Sequence, residues 1–452
     1  MPDERPPDEP DPGENPFAGT PMEQIFNAMG GSGGQAPDLS ALFGQMQRMF
    51  SGAQDGSVNF DVVRETARTA LAAAGDDPSP HTGQQGAVSD AVQLAESWLD
   101  RATSVPASAP RAAAWSRAEW VEATADTWQQ LVGPIADSVV GAMGEAIPEE
   151  ARAMAGPLIG MLNQAGSAMF AQQVGQALAG LGGEVLSSTD IGIPLTDDRT
   201  AAILPTNVAA FGEGLEHSAA DVMLYVALRE CAHHRLFSHA TWLRSALIST
   251  IEEFGRGTRI DLSAIESQIQ GLDPSRPDQI AEAMQGGMFE PERTPEQQAA
   301  LDRLETLLAF IEGWVDDVVA QATHETMPAA PALAEAVRRR RATGGPAEQT
   351  FASLVGLELR PRRLRDASTL WAALRDRKGA EARDAVWTHP DLMPTRTDLD
   401  DPLGFAQDDQ DVPEGDAFDA ALDELLSQEG RSKDDDTGSE APQDEGGPER
   451  DD

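Results

Sequence analysis

The stretch Leu224-Tyr225-Val226-Ala227-Leu228-Arg229-Glu230-Cys231-Ala232-His233-His234-Arg235-Leu236-Phe237 reads as the middle of one central helix spanning about residues 219–238. Arg229 and His233 stand four positions apart, so a helix turns them to the same face. Cys231, two positions after Arg229, points away from that face and is expected to fill buried space.

In zinc hydrolases the pattern HExxH uses this spacing. Two imidazoles one turn apart meet one ion, and the adjacent glutamate reaches the metal-bound water as general base. Here Glu230 and His233 match the general base and the second ligand, whereas the first-ligand position is Arg229, a permanent cation with no lone pair to give a metal. Eighteen residues separate His233 from Glu252, the interval expected when a second helix supplies a third, glutamate ligand. Glu253 is adjacent to it, and His234 or His239 with Glu230 would make a shifted ligand set, so these stay open as alternatives. If zinc is held, it would polarise a peptide or amide carbonyl while Glu230 activates water. The competing expectation is that Arg229 pairs with a buried carboxylate, Glu252 or Glu253, turning the metal site into a structural ion pair.

Outward from the helix, residues 187–211 contain short apolar runs bounded by Pro, Gly and Asp, which predicts two small extended segments just before it. Residues 88–185 read as helix after helix, with Trp98, Trp115, Trp120 and Trp128 as core positions. An earlier helix starts near Val58 and runs through Val62, Val63, Ala67, Ala70 and Leu71, whose spacing marks one apolar face. The small-residue series Ala165, Ala168, Ala171, Gly175 and Ala179 predicts close helix packing. Met154–Leu186 is the most apolar stretch, but its Asn and Gln residues make it a buried helix and not a lipid-spanning one. A helix from Thr294 to about Thr323 opens with Thr294-Pro295-Glu296-Gln297, a capping box with Pro at the first helical position. Leu262–Gln270 is a further short apolar segment.

Charge bounds the function classes. The 452 residues carry 76 Asp and Glu against 33 Lys and Arg, a net charge of −43 that is expected to keep the chain soluble and argues against nucleic acid and anionic membrane as partners. The concentrated positive region, Arg338–Arg341 with Arg360, Arg362, Arg363 and Arg365, is expected to pair with internal carboxylates or the acidic tail. Gly344-Gly345-Pro346 is a turn and not a phosphate loop. A single cysteine and an acidic, proline-rich beginning predict a reducing, cytoplasmic setting. Residues 1–57 are expected to form a disordered arm with short apolar patches, residues 58–405 a helical domain, and 406–452 a disordered acidic tail.

The motif helix resembles the zincin-like metallopeptidase family of zinc-dependent hydrolases. Further blocks carry the resemblance: Ser188-Thr189-Asp190-Ile191-Gly192, Asn207–Phe211, Glu312-Gly313-Trp314-Val315, Arg338–Phe351, Gly356–Arg365 and Trp387–Leu392. It covers about residues 88–405. The resemblance implies a mainly α, zincin-like α+β fold with a small β element, a metallopeptidase activity on a peptide or protein substrate, and zinc as cofactor. The competing role is a non-enzymatic scaffold or adaptor that binds partners through its groove and tails.

Overall fold

The computed structural model describes residues 58–407 except 109–110, 146–148, 197–199, 257–293, 344–348, 350–351, 353–355 and 357–361, with side chains undescribed at 137–163 and 165. The expected arm, the acidic tail from residue 408 on, the Leu262–Gln270 segment and the Gly344–Pro346 turn lie outside the described residues.

Helix α1 (Phe60–Ala74) starts where Asn59 accepts the Asp61 N–H, and it buries Phe60, Val63, Ala67 and Leu71 at helical spacing. Helix α2 (Thr82–Leu99) follows, then α3 (Arg117–Glu145) and the long α4 (Glu149–Glu184). Helix α1 packs on α4 and α3. The close approach rests on Gly175, where a Cβ would lie 2.7 Å from the Val63 carbonyl and the Thr66 side chain. That is the small-residue packing read from the sequence, with Ala171 and Ala179 buried beside it. Among the described residues no helix is long and apolar enough to cross a membrane.

Among the described residues the β content is one parallel pair, β1 (Arg111–Ala114) with β2 (Thr200–Ile203), extended by an antiparallel bridge from Ser187 to Ile203. Strand β1 corrects the reading of 88–185 as uninterrupted helix. Its alanines carry no β signature, and it is the ladder to β2 that holds them extended. The second extended segment is also shorter than expected. It ends at Leu204, because Pro205 opens helix α5 (Pro205–Gly212), where a missing N–H costs nothing. Asn207 fixes α5 by donating to the carbonyls of Gly182 and Val185.

The motif helix is α6 (Ala219–His239), followed by α7 (Thr241–Arg256). Helix α8 (Pro295–Thr323) begins with the expected capping box, in which Thr294 accepts the Gln297 N–H and the Gln297 side chain accepts the Thr294 N–H. Helices α9 (Ala330–Thr343), α10 (Leu364–Lys378), α11 (Ala380–Ala385) and α12 (Pro402–Gln407) follow, with three short 3-10 turns between the last two. The fold is thus mainly α with a small β element. Helix α6 runs through the middle, with α2, α8, α5 and β2 packed around it. Helices α8 and α10 approach closely at Gly313, whose Cβ would lie 2.7 Å from that of Ala367. Trp120, Trp128, Trp314, Trp371 and Trp387 are fully buried, whereas Trp98 and Trp115 only flank the core.

Candidate functional site

Because α6 is buried on nearly all sides from Tyr225 to Leu236, its polar side chains must find partners within the protein. Arg235 pairs with Glu96 and Asp100 at the end of α2, and the motif residues fall into two further groups.

The first group gathers on Glu312 of α8, which has no solvent exposure. Arg229 Nη2 donates to Glu312 Oε2 at 2.5 Å, and Arg229 Nη1 lies 3.7 Å from Asp316 Oδ1. The other oxygen, Oε1, meets Arg341 Nη2 at 3.0 Å and His233 Nε2 at 3.2 Å. His233 Nδ1 lies 2.9 Å from the Arg229 carbonyl. Both imidazole nitrogens therefore face acceptors, and the Nε2 contact is bonding only when that nitrogen carries a proton. Burial works to raise the Glu312 pKa, but the charges of Arg341, His233 and Arg229 overcome it and hold the carboxyl well below its ordinary range. Burial likewise opposes the charged form of Arg229, and Glu312, Tyr225 and Asp316 reverse that effect, so the guanidinium stays fully charged. Burial pushes the Tyr225 phenol beside it up to about 12.

Glu230 points to the neighbouring face and makes the second group. Oε1 accepts from the Ser188 hydroxyl and lies 3.3 Å from the Ala202 N–H and 3.2 Å from His234 Nε2. Oε2 accepts from Thr189 Oγ1 at 2.5 Å and the Thr189 N–H at 3.1 Å. Burial would raise this carboxyl, but the His234 hydrogen bond and charge, with the Ser188 and Thr189 hydroxyls, hold it at about 2. Both oxygens are occupied by donors from the 187–189 loop, β2 and α6 itself.

The structure thus brings Arg229 and His233 together and places Glu230 with His234. The other candidates lie elsewhere. Glu252 is half-buried on α7, Glu253 is exposed and pairs with Arg303 at 2.5 Å, and His239 is half-buried in the last turn of α6. Among the described residues neither Glu252 nor Glu253 pairs with Arg229 or His233. The expected pairing of Arg229 with a buried carboxylate occurs, but its partners are Glu312 and Asp316. Sequence reasoning missed Glu312 in this role, although a signal was present. A lone carboxylate inside Leu308-Ala309-Phe310-Ile311-Glu312-Gly313-Trp314-Val315 sits in a run too apolar to be solvent-facing, so it needs a partner.

The arginine-rich region supplies part of the network. Arg338 lies 3.7 Å from Asp316, Arg339 3.5 Å from Glu335 and Arg340 2.9 Å from Asp190, and Arg341 donates to the Asp190 carbonyl besides meeting Glu312. Arg362, Arg363 and Arg365 pair with Glu305, Asp366 and Asp400, and Glu335. These described arginines pair internally, as expected from the charge pattern, and Arg360 lies outside the described residues. Cys231 is fully buried, and burial raises its thiol well above the ordinary range, consistent with a packing role.

A zinc ion in this arrangement would need three or more lone-pair donors converging on one point. Among the described residues no group of three or more His, Cys, Asp or Glu side chains could hold an ion. Arg229 has no lone pair, Glu312 already receives two guanidiniums and an imidazole, and Glu230 is turned into its own hydrogen-bond cage. The residues as arranged do not fit zinc.

No curated protein matches the chain. Among solved structures it is similar to that of "a putative hydrolase with a novel fold" from Chloroflexus aurantiacus, at 19% identity and a TM-score of 0.54, covering 77% of this chain and 97% of that one. At that identity the likeness shows the fold. The model of the family described as zincin-like metallopeptidase matches residues 58–406, which takes in every described helix from α1 through α11. The chain belongs to the zincin-like metallopeptidase family.

Proposed function

We propose that this family member acts as a scaffold or adaptor that binds a segment of a partner protein, and that its motif helix performs no zinc-dependent hydrolysis. The observation that carries this reading is the Arg229–Glu312 pair, which puts a fixed positive charge where the motif requires an imidazole. Glu230 supports it. A general base works best with a pKa near the operating pH and with water in reach, whereas this carboxylate is unexposed and held at about 2.

A binding surface is available away from the motif. Helices α7 and α8 and the 390–396 segment border an open groove of about 650 Å³. Trp242, Leu307, Phe310 and Met393 line it, and the ion pairs Glu253–Arg303 and Asp302–Arg396 stand beside them. An apolar floor with paired charges suits an extended or helical peptide carrying apolar side chains.

The test has two arms. A displayed-peptide library selected on the full chain should yield ligands that Trp242→Ala no longer retains. A soluble peptide library incubated with wild type and Glu230→Gln should stay intact with both. Hydrolysis by wild type that disappears in Glu230→Gln would overturn the proposal.

The second reading is a metallopeptidase or hydrolase with Glu230 as general base and His233 and Glu252 as zinc ligands. Two observations favour it: the family match runs through 58–406, and Glu230 and His233 keep the motif's register. The same hydrolysis arm decides between the readings.

A further inference from the structure

We infer that Arg229 and Arg341 together supply, at Glu312, the positive charge that a divalent metal ion would bring to this site. The inference rests on the metal-free reading of the motif helix, and it is independent of what the groove binds.

Three observations carry it. First, His233 is posed as a metal ligand. Its Nδ1 lies 2.9 Å from the Arg229 carbonyl, and a backbone carbonyl on one ring nitrogen is a usual way to orient an imidazole that ligates through the other. Nε2 then points at Glu312. Second, the two ligand-type atoms have a ligand-to-ligand separation. Donors about 2.1 Å from a tetrahedral zinc lie about 3.4 Å apart, and His233 Nε2 and Glu312 Oε1 are 3.2 Å apart. Third, positive charge converges on one buried carboxylate. Two guanidiniums, Arg229 on Oε2 at 2.5 Å and Arg341 on Oε1 at 3.0 Å, flank this one fully buried carboxylate.

The backbone holds the carboxylate in place. Gly192 has φ +80°, and a Cβ there would lie 2.9 Å from Glu312 Oε1 and 3.4 Å from Arg341 Nη2. The chain at Gly192 therefore packs closely against the group. With position 229 one turn before His233, a histidine there would complete a His, His, Glu set with Glu312 of α8 as its third member.

The experiment is zinc content and zinc-induced thermal stabilisation of the full chain. Wild type should carry little zinc and show no shift in Tm on adding it. Arg229→His should take up near-stoichiometric zinc with a rise in Tm. That uptake should be lost in Arg229→His/His233→Ala and Arg229→His/Glu312→Gln but retained in Arg229→His/Glu252→Gln. Adding Arg341→Met to Arg229→His should tighten zinc binding further, because the second surrogate charge is then gone.

Zinc in wild type that His233→Ala removes would overturn both this inference and the metal-free reading. Zinc-free wild type with no zinc in folded Arg229→His or Arg229→His/Arg341→Met would overturn this inference alone. So would uptake by Arg229→His that Glu252→Gln abolishes and Glu312→Gln does not. Should the histidine variants fail to fold, Arg229→Met and Glu312→Gln decide. Their combination should have a higher Tm than Glu312→Gln alone, and simple addition of the two losses would overturn the inference.

Discussion

Exchanging Glu230 for glutamine, measured across pH, tests how the carboxylate is held. At neutral pH the wild-type carboxylate accepts from Ser188, Thr189 twice, Ala202 and His234. A glutamine can present one oxygen to these donors. Its NH2 then faces the Thr189 N–H, and leaving buried donors unmatched costs about 3 kcal/mol. The ionised form contributes separately. The folded carboxyl titrates at about 2 against an ordinary 4.5, which is worth on the order of 3 kcal/mol. Because the folded value is depressed, that stability is fully present above the ordinary value and is lost as pH falls toward the folded one. By about pH 3 roughly 2 kcal/mol of it has gone. The glutamine variant has no such titration. Its penalty relative to wild type should therefore shrink by about 2 kcal/mol between about pH 6.5 and pH 3. Glu312, Asp190 and Asp384 are also depressed in the folded state, but they are common to both proteins and cancel in the difference. Urea unfolding at each pH, followed by tryptophan fluorescence, reads the difference as converging midpoints. A penalty that stays constant across this pH range would refute the picture of an ionised, donor-saturated Glu230. The same loss of stability bears on the hydrolysis assay, where Glu230→Gln has to be compared at a temperature at which both proteins are folded.

Gly192→Ala should cost about 2 kcal/mol in chemical unfolding, combining positive-φ strain with displacement of the Glu312 carboxylate. Gly214→Ala, at φ +82° with open space around it, should cost about half as much. Gly313→Ala should lower stability by about 1–3 kcal/mol, because its Cβ would meet the Ala367 backbone at 2.8 Å and force α8 from α10; Gly133→Ala, with nothing within 4 Å, is the matched control. Cys231 should resist a thiol-labelling reagent in the native state and react once urea unfolds the chain, since it is buried and its thiol is raised. Rapid native labelling would place it in a more open environment than the one described.

What the sequence determined by itself is local. The apolar spacing of α1, the capping box at Thr294 and the shared face of Arg229 and His233 depend on residues within one or two helical turns, and periodicity or hydrogen-bond chemistry makes them legible. The family resemblance, carried by several separated blocks, also came from sequence. Strand β1 was not legible, because Arg111-Ala112-Ala113-Ala114 has no strand preference and is extended only by its ladder to residues 89 positions later. The partner of Arg229 was hidden for a related reason. Spacing after His233 pointed to Glu252, but spacing along the chain cannot say which helix is laid against α6. Packing of α8 brought Glu312 there, 83 positions from Arg229, and left Glu253 exposed on Arg303. The arginine at 229 is visible in the chain, whereas the site it makes with Glu312, His233 and Arg341 exists only once burial removes water and forces those charges to find one another.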